Sequence, residues 1–468
     1  MAKRLIFALL LLAGLGRTLG AEAARPNVMI VMADQWRAQA FGYAGDPNVR
    51  TPHLDALERE SVDFTRAVSS LPVCCPARAS LLTGQRAVTH GVFLNDVPLG
   101  TNVLTLAQVL AAQGYDTGYV GKWHLNGGGR SEFIPRQRRQ GFDYWKALEC
   151  THNYNHSSYY GDTPEKLQWA GYDAIAQTRD AREYLRSRAT NSRPFLFVLS
   201  WGPPHSPYGT APEKYQALYD PSKLILRGNV PPGPAGWRRD LAGYYAHCSA
   251  LDDCAGDLLQ TLRETGLDEK TIVIFTSDHG DMLGSHGMTA KQKPYDESIR
   301  VPLLMRCPPL TGIKARQVDA VIATEDIMPT VLGLCHVPVP ATVEGMDYSG
   351  YMRGKRNPSD NAALIWCVAP FGEYTRSVGG REFRGLRTER FTYVRDLKGP
   401  WLLFDNTKDP LQTTNLAARI DTARERKKLD RLLDAKLRQA HDSFLPADDY
   451  IKKWGWPVNE RGTVPYSN

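Results

Sequence analysis

The sequence is poor in cysteine, in long apolar runs and in repetition. Eight cysteines in 468 residues are too few for a disulfide-stapled scaffold. None shows the C-x-x-C spacing of a structural zinc site. Cys248 and Cys254 fall on different faces of one expected helix, so they are not expected to pair. Beyond the first residues no segment is apolar for long enough to cross a bilayer as a helix, which excludes a bundle of membrane-spanning helices. No internal repeat or low-complexity tract is present, which excludes a solenoid. Basic residues outnumber acidic ones by 57 to 50, for a net charge of +7. They are spread along the chain without a nucleic-acid-binding motif, so no nucleic-acid partner is expected. The mild positive surplus suits an anionic substrate.

What is present begins with a targeting pattern. Lys3 and Arg4 precede the apolar run Leu5–Gly16, and Ala21-Glu22-Ala23 is a small-x-small cleavage site. This predicts a cleaved signal peptide over residues 1–23. The run is too short for a stable membrane anchor, so an exported protein is expected, periplasmic or extracellular in a bacterial host.

The remaining composition, 42% hydrophobic and 23% charged over the whole chain, is that of an ordinary globular protein. Short apolar runs alternate with amphipathic stretches, an α/β pattern. Asn27–Ala33, Phe195–Leu199 and Thr271–Phe275 read as buried strands, and Asp116–Gly121 as a fourth. Leu106, Val109 and Leu110 form a helical stripe between a Thr105 N-cap and a Gly114 stop. Arg239–Gly266 reads as a long helix. After about residue 345 the pattern changes to closely spaced strands (Phe391–Val394, Trp401–Phe404) and a charged helix near Asp421–His441. We expect a catalytic domain over 24–350 and a smaller α+β domain over 351–468, antiparallel if its strands pair as hairpins.

The strand ends carry the chemistry. The strand at Asn27 runs into Asp34-Gln35, that at Asp116 toward Lys122 and His124, that at Phe195 toward His205, and that at Thr271 into Asp278-His279. Ligands of open α/β sheets bind beyond the carboxyl ends of the strands. One such residue is an ordinary loop start; four converging strands predict a site. Asp34, Gln35, Asp278 and His279 together suit a divalent cation. The oxygens favour calcium, and the imidazole admits manganese. Cys74-Cys75-Pro76-Ala77-Arg78 precedes a helix that Gly84 stops. Cys74 therefore sits at a helix N-terminus, where negative charge is favoured. Composition alone leaves it either a reactive thiol or a buried structural one.

The segment C-x-P-x-R followed by A-S-L-L-T-G-Q resembles the signature of the formylglycine-dependent sulfatases, which belong to the alkaline-phosphatase-like superfamily. Five further blocks resemble that family in its order: Asn27–Asp34; Gly121-Lys122-Trp123-His124-Leu125; Pro204-His205-Ser206-Pro207; Thr276-Ser277-Asp278-His279-Gly280; and Lys291 before Tyr295-Asp296-Glu297. The resemblance implies a large mixed sheet flanked by helices, and oxidation of Cys74 to formylglycine by a maturation enzyme. It also implies one divalent cation held by Asp34, Gln35, residue 74, Asp278 and His279. The hydrated aldehyde at position 74 would attack sulfur. His205, with Lys291 beside it, would protonate the leaving alcohol. His124 would take the proton that releases sulfate, while Arg78 and Lys122 would hold the charge. The implied substrate is a sulfated carbohydrate. Gln35 and His279 depart from the family's commonest pattern and also resemble phosphonate and phosphodiester hydrolases, which leaves such a hydrolase open as one alternative; a non-catalytic binder of sulfated polymers is the other, and applies if Cys74 is never oxidised. For sugar recognition the sequence offers the polar, aromatic loop Glu149–Tyr160 and the arginines Arg376, Arg381, Arg384 and Arg387.

Overall fold

The computed structural model describes residues 25–233, 236–308 and 313–466. The signal-peptide pattern lies outside them. Fourteen strands occur among the described residues. β1 (Asn27–Asp34), β2 (Val62–Val68), β3 (Asp116–Lys122) and β4 (Tyr144–Leu148) belong to one large sheet. A two-residue pair, β5 (Ser158–Tyr159) and β6 (Leu167–Gln168), stands apart. β7 (Phe195–Pro204), β8 (Thr271–Ser277), β9 (Leu303–Arg306) and β10 (Arg316–Ala323) complete the large sheet, in the order β10-β2-β9-β8-β1-β7-β3-β4. All neighbours are parallel except β9, which runs antiparallel to both β2 and β8. The sheet is therefore mixed, as the resemblance implies.

Its central strands are apolar at nearly every position because both faces are covered. Val28, Ile30 and Met32 of β1 point into one core, and Met29, Val31 and Ala33 into the other. The period-2 alternation of a strand thus feeds two cores from one run. Each such burial contributes about 1.5–3 kcal/mol. One face is covered by the helices Asp173–Arg188 and Gly236–Glu264. The other is covered in part by the buried helix Cys74–Thr83 and by Leu106–Ala112. The latter begins in the expected way: Thr105 and Gln108 close a capping box, each satisfying a backbone N–H of the other. The long helix starts at Gly236, three residues before the sequence pattern suggested.

A second sheet, β11 (Ala362–Cys367), β12 (Phe383–Thr388), β13 (Phe391–Asp396) and β14 (Gly399–Asp405), is antiparallel throughout. The helix Ala423–Gln439 buries Leu429, Leu433 and Leu437, one stripe at four-residue spacing. The described cysteines are all free, Cys248 and Cys254 among them. No described helix is long and apolar enough to cross a membrane.

One fold contact yields a pH prediction. Asp252, on the long helix, accepts the backbone N–H groups of His53 (3.1 Å) and Leu54 (2.8 Å). It thereby caps the helix Pro52–Arg59, whose own Thr51 makes no capping bond. Burial pushes its carboxyl up from 3.8 to about 7. A raised carboxyl stabilises the fold fully below its unfolded value, and that contribution is lost as pH rises through the folded value. Wild-type stability should therefore fall from pH 4 to 7 relative to Asp252→Asn, which keeps an acceptor at the cap. Denaturant titrations of both proteins across that range check this, and parallel curves would contradict it.

Candidate active site

Strands β8, β1, β7 and β3 are adjacent and parallel, so their carboxyl ends reach one edge. Asp34 and Lys122 are the last residues of β1 and β3. Asp278 follows β8 and His205 follows β7. Cys74 is the first residue of its helix, which Gly84 ends in the left-handed conformation at φ 64°. The sheet edge and the helix N-terminus meet at Cys74 Sγ. That atom lies 3.3 Å from His279 Nε2, 3.5 Å from Lys291 Nζ and 3.7 Å from Asp34 Oδ1.

Around this point lies a buried charge lattice. Arg78 donates to Asp34 (3.2 Å), Asp278 (3.0 Å), Ser200 Oγ (2.6 Å) and the Lys122 carbonyl (2.9 Å). Lys122 Nζ reaches Asp34 Oδ2 at 2.5 Å. For the Cys74 thiol, burial and Asp34 push upward, but Lys122, Lys291 and His279 outweigh them and hold it well below the usual thiol range. The site is built to stabilise negative charge at residue 74. Burial opposes ionisation of Asp34 as well, yet Lys122, His205 and Arg78 hold it well below the carboxylate range. Asp278 is pushed up, by burial and by Asp34. Both carboxylates share the Arg78 guanidinium, and only Asp34 has Lys122 as well.

A divalent cation fits this donor set. One ligand atom each from Asp34, Cys74, Asp278 and His279 lies within 4.8 Å of the others, all four residues buried. Two carboxylates, an imidazole and a nearby amide oxygen make a hard-cation site with one nitrogen donor. The amide is that of Gln35, whose Oε1 accepts from Lys291 at 3.0 Å. Its orientation is set by Asp281, which the sequence reading missed although it stands three residues past Asp278. Asp281 is fully buried and accepts from Gln35 Nε2 at 2.6 Å, which keeps the oxygen turned inward. Outer partners of this kind typically change metal affinity about 10–100-fold. We therefore expect a chelator to abolish activity, added cation to restore it, and Asp281→Asn to need at least about tenfold more cation for half-restoration. An unchanged requirement in Asp281→Asn would contradict the orienting role.

Two further histidines line the cavity together with residue 74. His205 Nε2 lies 2.7 Å from Lys291 Nζ, and its Nδ1 lies 2.8 Å from the Ser206 carbonyl. The neutral ring therefore carries its proton on Nδ1 and accepts the lysine's at Nε2. Burial and then Lys291 hold His205 well below the usual imidazole range, so the mobile proton belongs to the His205–Lys291 pair. His124 places Nε2 3.1 Å from Asp96 Oδ1, while its buried Nδ1 has no hydrogen-bond partner among the described residues. Asp96 is itself clamped by Arg130 through two bonds of 2.9 Å. Burial lowers the proton affinity of His124, but Cys75, Cys150 and Asp96 outweigh it and raise the ring well above its usual range.

Above these groups opens a cavity of about 400 Å³, within the range of small-ligand sites. Cys74, Lys122, His124, His205 and Lys291 all line it. Of the loop Glu149–Tyr160 only Cys150 and His152 reach it. His152 stacks on His205 at 4.6 Å. Glu149 is buried and bonds the backbone of Asn126 and Gly127 instead, and Tyr154 bonds the carbonyls of Gly202 and Ser206. The four arginines proposed for sugar recognition are absent from the cavity wall. Arg384 is fully buried against Asp442, Arg387 pairs with Asp296, Arg376 with Glu382 and Arg381 with Asp396. Their charges are consumed by the second sheet and its surroundings.

The sulfatase family pattern matches residues 26–337. The C-terminal pattern of N-sulphoglucosamine sulphohydrolase matches residues 284–440. An ulvan-active sulfatase of Formosa agariphila is 46% identical over 451 residues, 95% of this chain and 88% of that protein. The chain belongs to the sulfatase family. Among solved structures, a Bacteroides thetaiotaomicron protein from work on glycosaminoglycan metabolism superposes with a TM-score of 0.82 at 28% identity, covering 94% of this chain and all of that one. The phosphonate monoester hydrolase of Agrobacterium radiobacter superposes at 0.73 with 26% identity, covering 95% and 100% of the two chains. The fold is thus shared by sulfuryl and phosphonyl chemistries, and this sulfatase is joined to the sulfuryl side by its identity to the Formosa protein.

Proposed function

We propose that this sulfatase removes sulfate from a sulfated carbohydrate, with residue 74 converted to formylglycine and one divalent cation, calcium in the first instance, held by Asp34, Gln35, Asp278 and His279. The observation that supports it most is Cys74 Sγ on the floor of an open cavity, within 3.7 Å of His279, Lys291 and Asp34. Ulvan, the polymer in the name of the Formosa relative, makes a sulfated glycan the first substrate class to test.

As hydrated formylglycine, residue 74 would supply one hydroxyl to attack sulfur and a second through which the residue would regenerate. A bound cation lowers the proton affinity of that nucleophile and offsets charge on the sulfate. The chain's own residues do the rest. Lys122 and Lys291 place ammonium groups where negative charge gathers, and Arg78 holds Asp34 and Asp278 in position beneath them. The His205–Lys291 pair delivers a proton to the departing sugar oxygen: the Lys291 ammonium gives up the proton, passing it through the unprotonated His205 Nε2, and is left as the neutral amine. His124, held through Nε2 by Asp96 on the wall of the same cavity, takes a proton as residue 74 regenerates only after giving up its own, because its ring is raised above the usual range. Export and an oxidising maturation partner complete the proposal, resting on the N-terminal pattern and the C-x-P-x-R segment.

Sulfate release from a panel of sulfated oligosaccharides, by protein co-expressed with a formylglycine-generating enzyme, tests the substrate class. Hydrolysis of aryl sulfates alone, with every glycan inert, would contradict it.

A further inference from the structure

The segment after the last helix is anchored far from its origin. The helix Ala447–Trp454 stops at Gly455, φ 67°. Trp456 Nε1 then bonds the Gly91 carbonyl at 2.9 Å. The Trp454 ring lies against Gly91, where an added Cβ would come within 2.3 Å of it. Beyond these indoles the chain makes a tight turn. Gly462 N–H donates to the Asn459 carbonyl at 2.9 Å, and the Asn459 side chain accepts from Arg461 and Thr463 backbone N–H groups. Val464 is buried in the main core. Tyr466 lies under the Arg130 guanidinium, 3.6 Å from ring centroid to carbon. Arg461, Thr463 and Tyr466 line the active-site cavity as a result.

The cations of the cavity are not equivalent. Lys122 is paired with Asp34 and Arg130 with Asp96. Lys291 is engaged by His205 and Gln35. Glu373, the other acidic residue of the wall, lies within electrostatic reach of Lys291 and Lys293. Arg461 is exposed at the tip of its turn, and its guanidinium forms no ion pair among the described residues. A planar fork of donors free of any ion pair among the described residues, held on the wall of the cavity by a turn that tryptophans anchor, matches a carboxylate or sulfate in two parallel bonds.

Building on the glycan-desulfating activity proposed above, we infer that Arg461 is a specificity-determining residue that binds a second anionic group of the substrate, a uronate carboxylate or another sulfate ester. The group belongs to the sugar nearest the mouth, while the scissile sulfate sits at residue 74. The turn Asn459–Thr463 sets the position of the guanidinium, and the Arg130–Tyr466 stack forms the neighbouring wall. A small aryl sulfate has no second anion and passes Arg461 without contact.

The test compares matured wild type with Arg461→Ala on 4-nitrophenyl sulfate and on the ulvan, heparin or chondroitin oligosaccharide that wild type desulfates fastest. The same oligosaccharide is also used with carboxyls reduced, with the second sulfate removed, and with both anions removed. Arg461→Ala should raise KM on the intact oligosaccharide about tenfold, with kcat and aryl sulfate turnover within about twofold. Wild type should show the same raised KM on whichever singly stripped form lacks the recognised anion, and Arg461→Ala should then add nothing. That arm tells carboxylate from sulfate. An unchanged KM, an equal loss on the aryl sulfate, or a defect that persists on the doubly stripped oligosaccharide would overturn the assignment. So would turnover confined to neutral sulfated sugars. Failure of wild type on every sulfate ester would instead overturn the proposed function.

Discussion

Cys74→Ala is expected to lower kcat/KM for every sulfate ester by about 10⁴-fold or more, with the fold retained. Removing a covalent nucleophile leaves only binding and electrostatic assistance to water. Here that assistance is substantial, because Lys122, Lys291 and His279 outweigh burial and Asp34 at the same point, so a small residual rate should survive. The side chain is small and sits at the base of an open cavity. Alanine therefore creates little new void, and thermal unfolding should move by no more than a few degrees. Activity within about a hundredfold of wild type would place the nucleophile elsewhere and undo the reading of the whole C-x-P-x-R segment.

The second large effect concerns the leaving group. His205→Ala should slow desulfation of a sugar, whose alcohol departs poorly, by about 10²–10⁴-fold. On 4-nitrophenyl sulfate, whose phenolate needs little protonation, the loss should stay below about tenfold. The contrast follows from the 2.7 Å contact between His205 Nε2 and Lys291 Nζ. The imidazole is held neutral by burial and by that lysine, so it works as one half of a donor pair. Lys291→Ala should show the same dependence on the leaving group. Equal losses on sugar and aryl sulfates would assign both residues to holding sulfate rather than to proton delivery.

The parts of the site borne by regular structure were legible in the chain. Apolar runs leading to Asp34 and Asp278 mark strands buried on both faces, the less apolar run Asp116–Gly121 points to Lys122, and parallel neighbours must deliver such ends to one edge. Cys74 was legible because Pro76 and Gly84 bracket a helix whose first residue it is. Asp96, Arg130 and Arg461 were not, because each stands in an irregular segment with no periodicity to betray its direction. Asp96 even adopts a left-handed conformation, φ 63°, which no local signal announces. Arg384 shows the converse. Its partner Asp442 lies 58 residues away, so sequence alone could not tell a buried, neutralised guanidinium from one free to meet a sugar. Asp281 had a faint signal, an acidic residue close behind a metal-ligand pair, but its role emerges only from the bond to Gln35.

The most direct test of the account is the ratio of kcat/KM for a chromogenic sulfate monoester to that for the matching phosphonate monoester, measured on matured protein beside Cys74→Ala. The lattice around residue 74 and the family to which the chain belongs predict a marked preference for the sulfate, lost in the variant. A preference for the phosphonate would contradict it and would make Gln35 and His279, the two departures from the commonest sulfatase pattern, the residues that decide the chemistry.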